Sequence, residues 1–294
     1  MLPLELRASV ESALPRSVEP RLSVIPNGIA APIRYSLEAG GKRVRGMLVL
    51  AAYRAAGGRG DASGLAAAIE IIHAYSLLHD DLPCMDDDDV RRGQPTAHRV
   101  FGVPAAMIAG AAMIPIAARV AYDSARALKL PGDTCCTIVK VLMRAAGAGG
   151  MIGGQMLDLE AEGEANALTR PDLDAIHSAK TGALITASLE IGGLAAQTSS
   201  ENLNALTRYG SRIGLAFQIM DDVLDLTSST DRMGKITGRD VALGKSTYPG
   251  LLGVNDATAG AGRLVREACD DLSEHGLLSS ELREIAGFIV SRNH

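Results

Sequence analysis

Residues 214–225 read GLAFQIMDDVLD, and the spacing of their polar side chains is helical. Gln218, Asp221, Asp222 and Asp225 fall at i, i+3, i+4 and i+7, which puts all four on one face of an α-helix. Phe217, Met220 and Leu224 recur at the same period on an opposing face, where they can pack. A solvated outer face would also tolerate the acids. Apolar sequence on both sides of the stretch favours a polar stripe turned into a cavity.

Working outward, the chain keeps the same idiom. Ala, Leu, Ile and Met dominate, aromatic residues make up only 3%, and no sustained strand-like alternation occurs, so the expectation is an all-α fold. Helices are expected over roughly 29–39, 43–56, 62–81, 103–129, 133–147, 150–162, 171–196, 201–228, 245–274 and 279–291. GGRGD at 57–61, LPGD at 130–133 and TGRDVALG at 237–244 punctuate them as loops. Residues 15–28, with Pro15, Pro20 and Pro26, read as a linker after a short first helix. The uncharged run from Val100 to Ala118 could just span a bilayer, but Gly102, Pro104, Gly110 and Pro115 and its many alanines favour a central helix wrapped by others. No stable membrane insertion is expected.

With 294 residues the chain can enclose one large core, and residues 1–294 are read as a single domain. A net charge of −5 with acids and bases intermixed leaves no basic face, which excludes nucleic acid as a partner. Cys84, Cys135, Cys136 and Cys269 form neither a CxxC pair nor a disulfide framework, and MLPLELRASVESALPR lacks the unbroken apolar core of a signal peptide. A reduced, cytoplasmic protein is expected.

The second acidic stretch has an earlier echo: LLHDDLPCMDDDDVRRG at 77–93 crowds six aspartates behind an apolar segment. Such a run is either a solvated turn or half of a metal site, because like charges at a helix end repel unless a cation neutralises them. Asp80 and Asp86 would lie about 240° apart on an unbroken helix. Pro83 disfavours helix at Leu82 and removes a donor, so the helix should end there and let Asp86 swing back toward Asp80. All-oxygen carboxylate ligands suit a hard cation such as Mg²⁺, which is commonly completed by substrate phosphates. An EF-hand is excluded because the DxDxDG spacing is missing. Cationic residues that could take further phosphate charge are Arg91 and Arg92, then Lys42, Arg43 and Arg45 of GGKRVR, and Lys180, Lys235 and Lys245.

These fragments in this order resemble the short-chain trans-isoprenyl diphosphate synthases of the bacterial farnesyl/geranylgeranyl type. The likeness runs nearly end to end, through GGKRVR (40–45), IEIIHAYSLLHDDLPCMDDDDVRRG (69–93), GGQMLDLEAEG (153–163), AKTGAL (179–184), GLAFQIMDDVLD (214–225), GKITGRD (234–240) and GKSTYPGLLG (244–253). The resemblance implies about ten core helices around a central cavity, a homodimer, and head-to-tail condensation of isopentenyl diphosphate with an allylic diphosphate, dimethylallyl or geranyl. It implies about three Mg²⁺ per site, with Asp80, Asp86 and Asp221 as ligands supported by Asp81 and Asp225. Arg91, Lys180 and Lys235 would hold the allylic diphosphate, and Lys42, Arg45, His73 and Arg92 isopentenyl diphosphate, while Thr181 and Gln218 would turn their dipoles toward the allylic cation.

In the same family an aromatic residue at the position of Tyr75, five before Asp80, floors the product cavity; HAYSLLHDD resembles the farnesyl pattern, with geranylgeranyl diphosphate as the alternative product. Two departures stand out: Gly46 replaces the proline of GGKRxRP, where only a loss of local stiffness is expected, and Ala111 replaces an aspartate in AGAAMI. Three rivals are a metal-dependent phosphohydrolase built on His79-Asp80, a terpene cyclase and a non-catalytic partner subunit. The first lacks the upstream His it would need, the second lacks its NxxxSxxxE-type motif, and the third sits poorly with two intact acidic motifs.

Overall fold

The computed structural model describes residues 2–161, 168–227 and 246–291. Its helices are α1 (Leu4–Leu22), α2 (Asn27–Glu38), α3 (Val44–Ala55), α4 (Ser63–Asp80), α5 (Ala97–Phe101), α6 (Val103–Ala127), α7 (Gly132–Ala146), α8 (Met151–Glu160), α9 (Arg170–His177), α10 (Ala183–Ala195), α11 (Ser200–Thr227), α12 (Tyr248–Leu252), α13 (Val254–Glu274) and α14 (Ser280–Ser291). The fold is all-α, as the helical periods require. Among the described residues the only strands are Val90–Arg91 and Gln94–Pro95, one antiparallel pair closed at Arg92 and Gly93 with φ of 54° and 76°. A two-residue hairpin wants that doubly left-handed turn.

The core lies between α3, α4, α10 and α11. Met47, Leu48 and Val49 of α3, Ile69, Ile71 and Ile72 of α4, Leu189 of α10 and Ile213 of α11 are all essentially inaccessible. Small residues bring the axes close: a Cβ at Gly192 on α10 would stand 2.5 Å from the Val49 carbonyl oxygen.

Four expectations need correction. First, α1 continues through Pro15 and Pro20 to Leu22, so there is no linker at 15–22. Its stripe of Leu6, Val10, Ala13, Leu14, Val18 and Leu22 is buried, and packing that stripe outweighs the backbone hydrogen bonds the prolines forgo. Second, α6 is not buried all round. Ala106, Ala109, Gly110, Met113, Ala117, Val120 and Ala121 are covered, whereas Val103, Met107, Ile108 and Ala111 are exposed. By length and composition α6 could still cross a bilayer, as could the stretch Gly132–Glu160. Third, the helix expected over 171–196 is interrupted by a π-helical turn, Ser178–Gly182, between α9 and α10. Fourth, the helix expected over 245–274 is broken at Gly253, whose φ of 81° ends α12 before α13 begins. All four cysteines are free thiols.

Candidate active site

The first acidic stretch begins where α4 stops. Asp81 follows the last helical residue, and Pro83 turns the chain back so that the Asp86 amide donates to the Asp80 carbonyl at 2.8 Å. The expected return of Asp86 to Asp80 is thus made by the backbone itself. Asp87 sits at φ 51°, in the left-handed region that Asp tolerates better than most residues. Burial raises the Asp80 pKa to about 6; Lys180 and Arg91 oppose the shift, and Asp86 and Asp81 add to it. Asp81 is 4% exposed, and burial likewise raises its pKa against the pull of Arg91.

The two adjacent arginines part company at the hairpin. Arg91 donates from Nε to Asp81 at 2.6 Å and from Nη2 to Asp88 at 3.3 Å. Arg92 donates to the Gly40 carbonyl and lies against Gly41, where a Cβ would stand 2.8 Å from its guanidinium. Arg92 therefore belongs to the GGKRVR turn. Arg45 of that turn approaches His73 Nε2 at 3.3 Å through Nη1 and lies 6.0 Å from the centre of the Phe217 ring. A guanidinium only donates, so His73 Nε2 accepts and its proton sits on Nδ1. Burial, followed by Arg45, Arg92, Arg91 and Arg43, pushes the His73 pKa well below its usual value, so the ring is neutral at pH 7. Lys42 points its ammonium at Phe288 of α14, 5.2 Å from the ring centre. A cavity lined by Tyr35, Arg43, His73, Asp81, Arg91 and Arg92 opens between this turn and the hairpin.

The π turn carries Lys180 and Thr181, and its irregular winding is set by close backbone approach. A Cβ at Gly154 on α8 would fall 2.2 Å from the Lys180 amide nitrogen, and one at Gly214 on α11 would fall 2.9 Å from Gly182 Cα. Single π turns inside helices commonly mark functional positions. Lys180 donates to Asp158 of α8 at 2.7 Å, and Thr181 Oγ1 donates to Gln218 Oε1 at 2.7 Å. Gln218 Nε2 in turn donates to Asp222 at 3.0 Å. The other Asp222 oxygen accepts from the Tyr248 amide at 3.1 Å and lies 3.5 Å from His177 Nε2. His177 stacks on Tyr248, whose hydroxyl donates to Asp174. Burial and that bond push the Tyr248 hydroxyl pKa well above its ordinary range.

The π turn acts on both acidic stretches: the Lys180 charge favours ionised Asp80, and Thr181 bonds Gln218, three residues before Asp221. Asp225 is 8% exposed on the same helix. Among the described residues, no three carboxylate, imidazole or thiolate groups converge closely enough to ligate one ion. Lys235 and Lys245 lie outside the described residues. Tyr75 is 6% exposed and meets His79 edge-on at 5.0 Å. His79 donates from Nε2 to the Met107 carbonyl at 3.0 Å, which ties the ring to α6.

Sequence reasoning missed Asp158, His177, Tyr248 and Asp174, and gave Asp222 no task. GGQMLDLE, with its adjacent glycines, was the available signal for Asp158. The contacts of His177 and Tyr248 join positions far apart in the chain and leave no local spacing to read. Gly46 does more than relax the chain, because its N–H donates to Glu70 at 2.8 Å, which a proline could not do. Ala111 lies on the exposed face of α6.

Comparison with known proteins matches residues 26–279 to the polyprenyl synthetase family. The chain is 41% identical over 299 residues to the farnesyl diphosphate synthase of Escherichia coli, covering 99% of both. It is 40% identical over 291 residues to the geranylgeranyl diphosphate synthase of Cyanophora paradoxa, covering 99% of this chain and 95% of that one. The crystal structure of a Helicobacter pylori geranyltransferase complexed with magnesium and isoprenyl diphosphate superposes with a TM-score of 0.79 at 29% identity, covering 99% of this chain and 97% of that one.

Proposed function

The chain belongs to the polyprenyl synthetase family, and from that premise we propose that it condenses isopentenyl diphosphate head-to-tail with dimethylallyl or geranyl diphosphate, making chiefly farnesyl diphosphate. The observation that carries this reading is the π turn, which sets Lys180 beside the first acidic stretch and bonds Thr181 to Gln218 just before the second. Ionising an allylic C–O bond needs cationic groups fixed around the leaving diphosphate and dipoles fixed around the carbocation. Lys180 and Arg91 meet the first need, together with Lys235. Both described cations are already held by carboxylates, Asp158 for Lys180 and Asp81 for Arg91, so they can turn to phosphate with little reorganisation.

Thr181 meets the second need. Its proton is spent on Gln218, so the lone pairs of its oxygen face outward, negative end first. Gln218 is held by Asp222 and cannot turn its amide hydrogens to the cation. Lys42, Arg45, His73 and Arg92 bind isopentenyl diphosphate; neutral His73, with its proton on Nδ1, offers a donor rather than another charge. The departing diphosphate takes the proton released on condensation, so no side-chain base is required.

Asp80, Asp81, Asp86, Asp221 and Asp225 would hold Mg²⁺ together with substrate phosphates and water, since among the described residues no three of these groups converge on one ion. The fit rests on the donor set, which is all oxygen, and on the crowding of Asp80 by burial, Asp86 and Asp81, which a hard dication would relieve. When bound, Mg²⁺ neutralises diphosphate charge.

Tyr75, buried and five residues before Asp80, is the proposed floor of the product cavity. The exposed apolar row Val103, Met107 and Ile108 on α6 supports a homodimer that would cover it. Four free thiols suit a cytoplasmic enzyme. The test is mass analysis of products from purified enzyme given labelled isopentenyl diphosphate and either primer. A dominant C15 product is expected, a C20 product would assign the geranylgeranyl activity instead, and no condensation would refute the reading.

A further inference from the structure

We propose that Glu70 is a positioning residue for the isopentenyl diphosphate side of the site, a cap that α4 lends to the first turn of α3 through the amide of Gly46. The inference rests on the reading that Lys42, Arg45, His73 and Arg92 bind that substrate.

The segment that carries Lys42 and Arg45 is one the backbone does not adopt cheaply. Gly40, Gly41 and Arg43 have φ of 73°, 145° and 53°, and Arg43 pays the steric cost of the left-handed region that glycine escapes. Arg43 is also the residue before α3, and its side chain makes no capping bond to that helix. The first amides of a helix have no partner within it. Glu70, 2% exposed on α4, supplies one: its Oε1 accepts from Gly46 N–H at 2.8 Å. Its Oε2 lies 3.7 Å from Arg43 Nη1, and Arg43 Nη2 donates to the Leu37 carbonyl in the last turn of α2 at 2.8 Å.

One buried carboxylate therefore pins positions 43 and 46, and Arg45 lies between them with Lys42 immediately before. A negative charge at a helix N-terminus is favourable, and a buried carboxylate is tolerated when it is both paired and hydrogen-bonded. His73 stands three residues after Glu70 on the same helix and meets Arg45 at 3.3 Å. Glu70 thus fixes the turn relative to the helix that supplies its fourth anion-binding partner. The Gly46 N–H donor excludes proline at 46, and the close packing disfavours any side chain, since a Cβ there would stand 2.8 Å from Val10 Cγ1 and 3.1 Å from Glu70 Cγ.

Glu70→Gln keeps the volume but loses the charge, and with its oxygen on Gly46 it turns an NH2 donor toward Arg43 where the second carboxylate oxygen stood. Steady-state kinetics should show KM for isopentenyl diphosphate raised about tenfold, with KM for the allylic diphosphate within about twofold and kcat within about threefold. A purely structural Glu70 would lower thermal stability and leave the ratio of the two KM values unchanged, which would overturn the proposal. Arg43→Gln, which removes the cation that pairs with Glu70 and keeps a donor for the Leu37 carbonyl, carries the same test if Glu70→Gln does not fold. Arg45→Ala is the control on the underlying assignment. Failure of Arg45→Ala to raise KM for isopentenyl diphosphate removes that assignment and the proposal with it; a raised value there beside an unchanged one in Glu70→Gln refutes the positioning role alone.

Discussion

Replacing Asp80 with asparagine should stabilise the metal-free protein while abolishing most of its activity. Burial first, then the neighbouring Asp86 and Asp81, raise the Asp80 pKa from 3.8 to about 6 against the pull of Lys180 and Arg91. A carboxyl whose folded pKa is raised favours the fold in its protonated form. That contribution is complete below the unfolded pKa of roughly 3.9 and is lost as pH rises through the folded value. At neutral pH the shift corresponds to about 3 kcal/mol against the charged form, and solvent at the partly accessible side chain trims this to about 1–2 kcal/mol.

Asparagine has no charge to desolvate, so in chelator at neutral pH Asp80→Asn should melt about 2–5 °C above the wild type. The gap should close as pH falls toward about 4.5. Adding Mg²⁺ with a diphosphate should raise the wild-type melting temperature and leave the variant nearly unmoved. Turnover should fall at least about 10²-fold, the usual scale for losing a preorganised electrostatic group, and Asp221→Ala should do the same. Melting curves recorded across pH in chelator, beside a condensation assay, make the measurement. A variant that melts below the wild type at neutral pH, or a gap indifferent to pH, would refute the reasoning.

Tyr75→Ala should move the product distribution from C15 toward C20 or longer, read by mass analysis, and cost about 3 kcal/mol of stability because the ring is nearly buried; an unchanged distribution would dismiss Tyr75 as the floor. Thr181→Val removes the bond to Gln218 at constant shape and should lower kcat about 10²-fold while KM for isopentenyl diphosphate stays within about twofold. A loss confined to KM would reassign Thr181 to substrate binding. Gly154→Ala drives a Cβ into the Lys180 backbone, which cannot yield as a side chain would. It should destabilise the chain by about 2 kcal/mol or more in denaturant titration, and a neutral outcome would mean that the π turn does not depend on this contact.

Much of the site could be read from residues near one another in sequence. The i, i+3, i+4, i+7 spacing of Gln218, Asp221, Asp222 and Asp225 needs only the helical period, and the break at Pro83 needs only the missing amide and the restricted residue before it. Both survive in the structure, down to the hydrogen bond that returns Asp86 to Asp80. Where local rules misled, packing had overruled them. Pro15 and Pro20 argue for a linker, yet the buried stripe of α1 holds the helix through both. An apolar α6 argues for burial all round, yet only one of its faces is covered.

By itself the sequence determined the helical class, the two acidic stretches and the family, because each is written in periodicities and short motifs that a single segment carries whole. Tertiary structure alone decided that residues 178–182 wind as a π turn, since that follows from the closeness of Gly154 and Gly214 on two other helices. It also decided that Arg91 bonds Asp81 while its neighbour Arg92 bonds the Gly40 carbonyl, that Asp222 anchors Gln218, and that Gly46 meets Glu70. Each of these depends on where a distant backbone comes to rest, and a buried polar group must find its partner there or destabilise the fold.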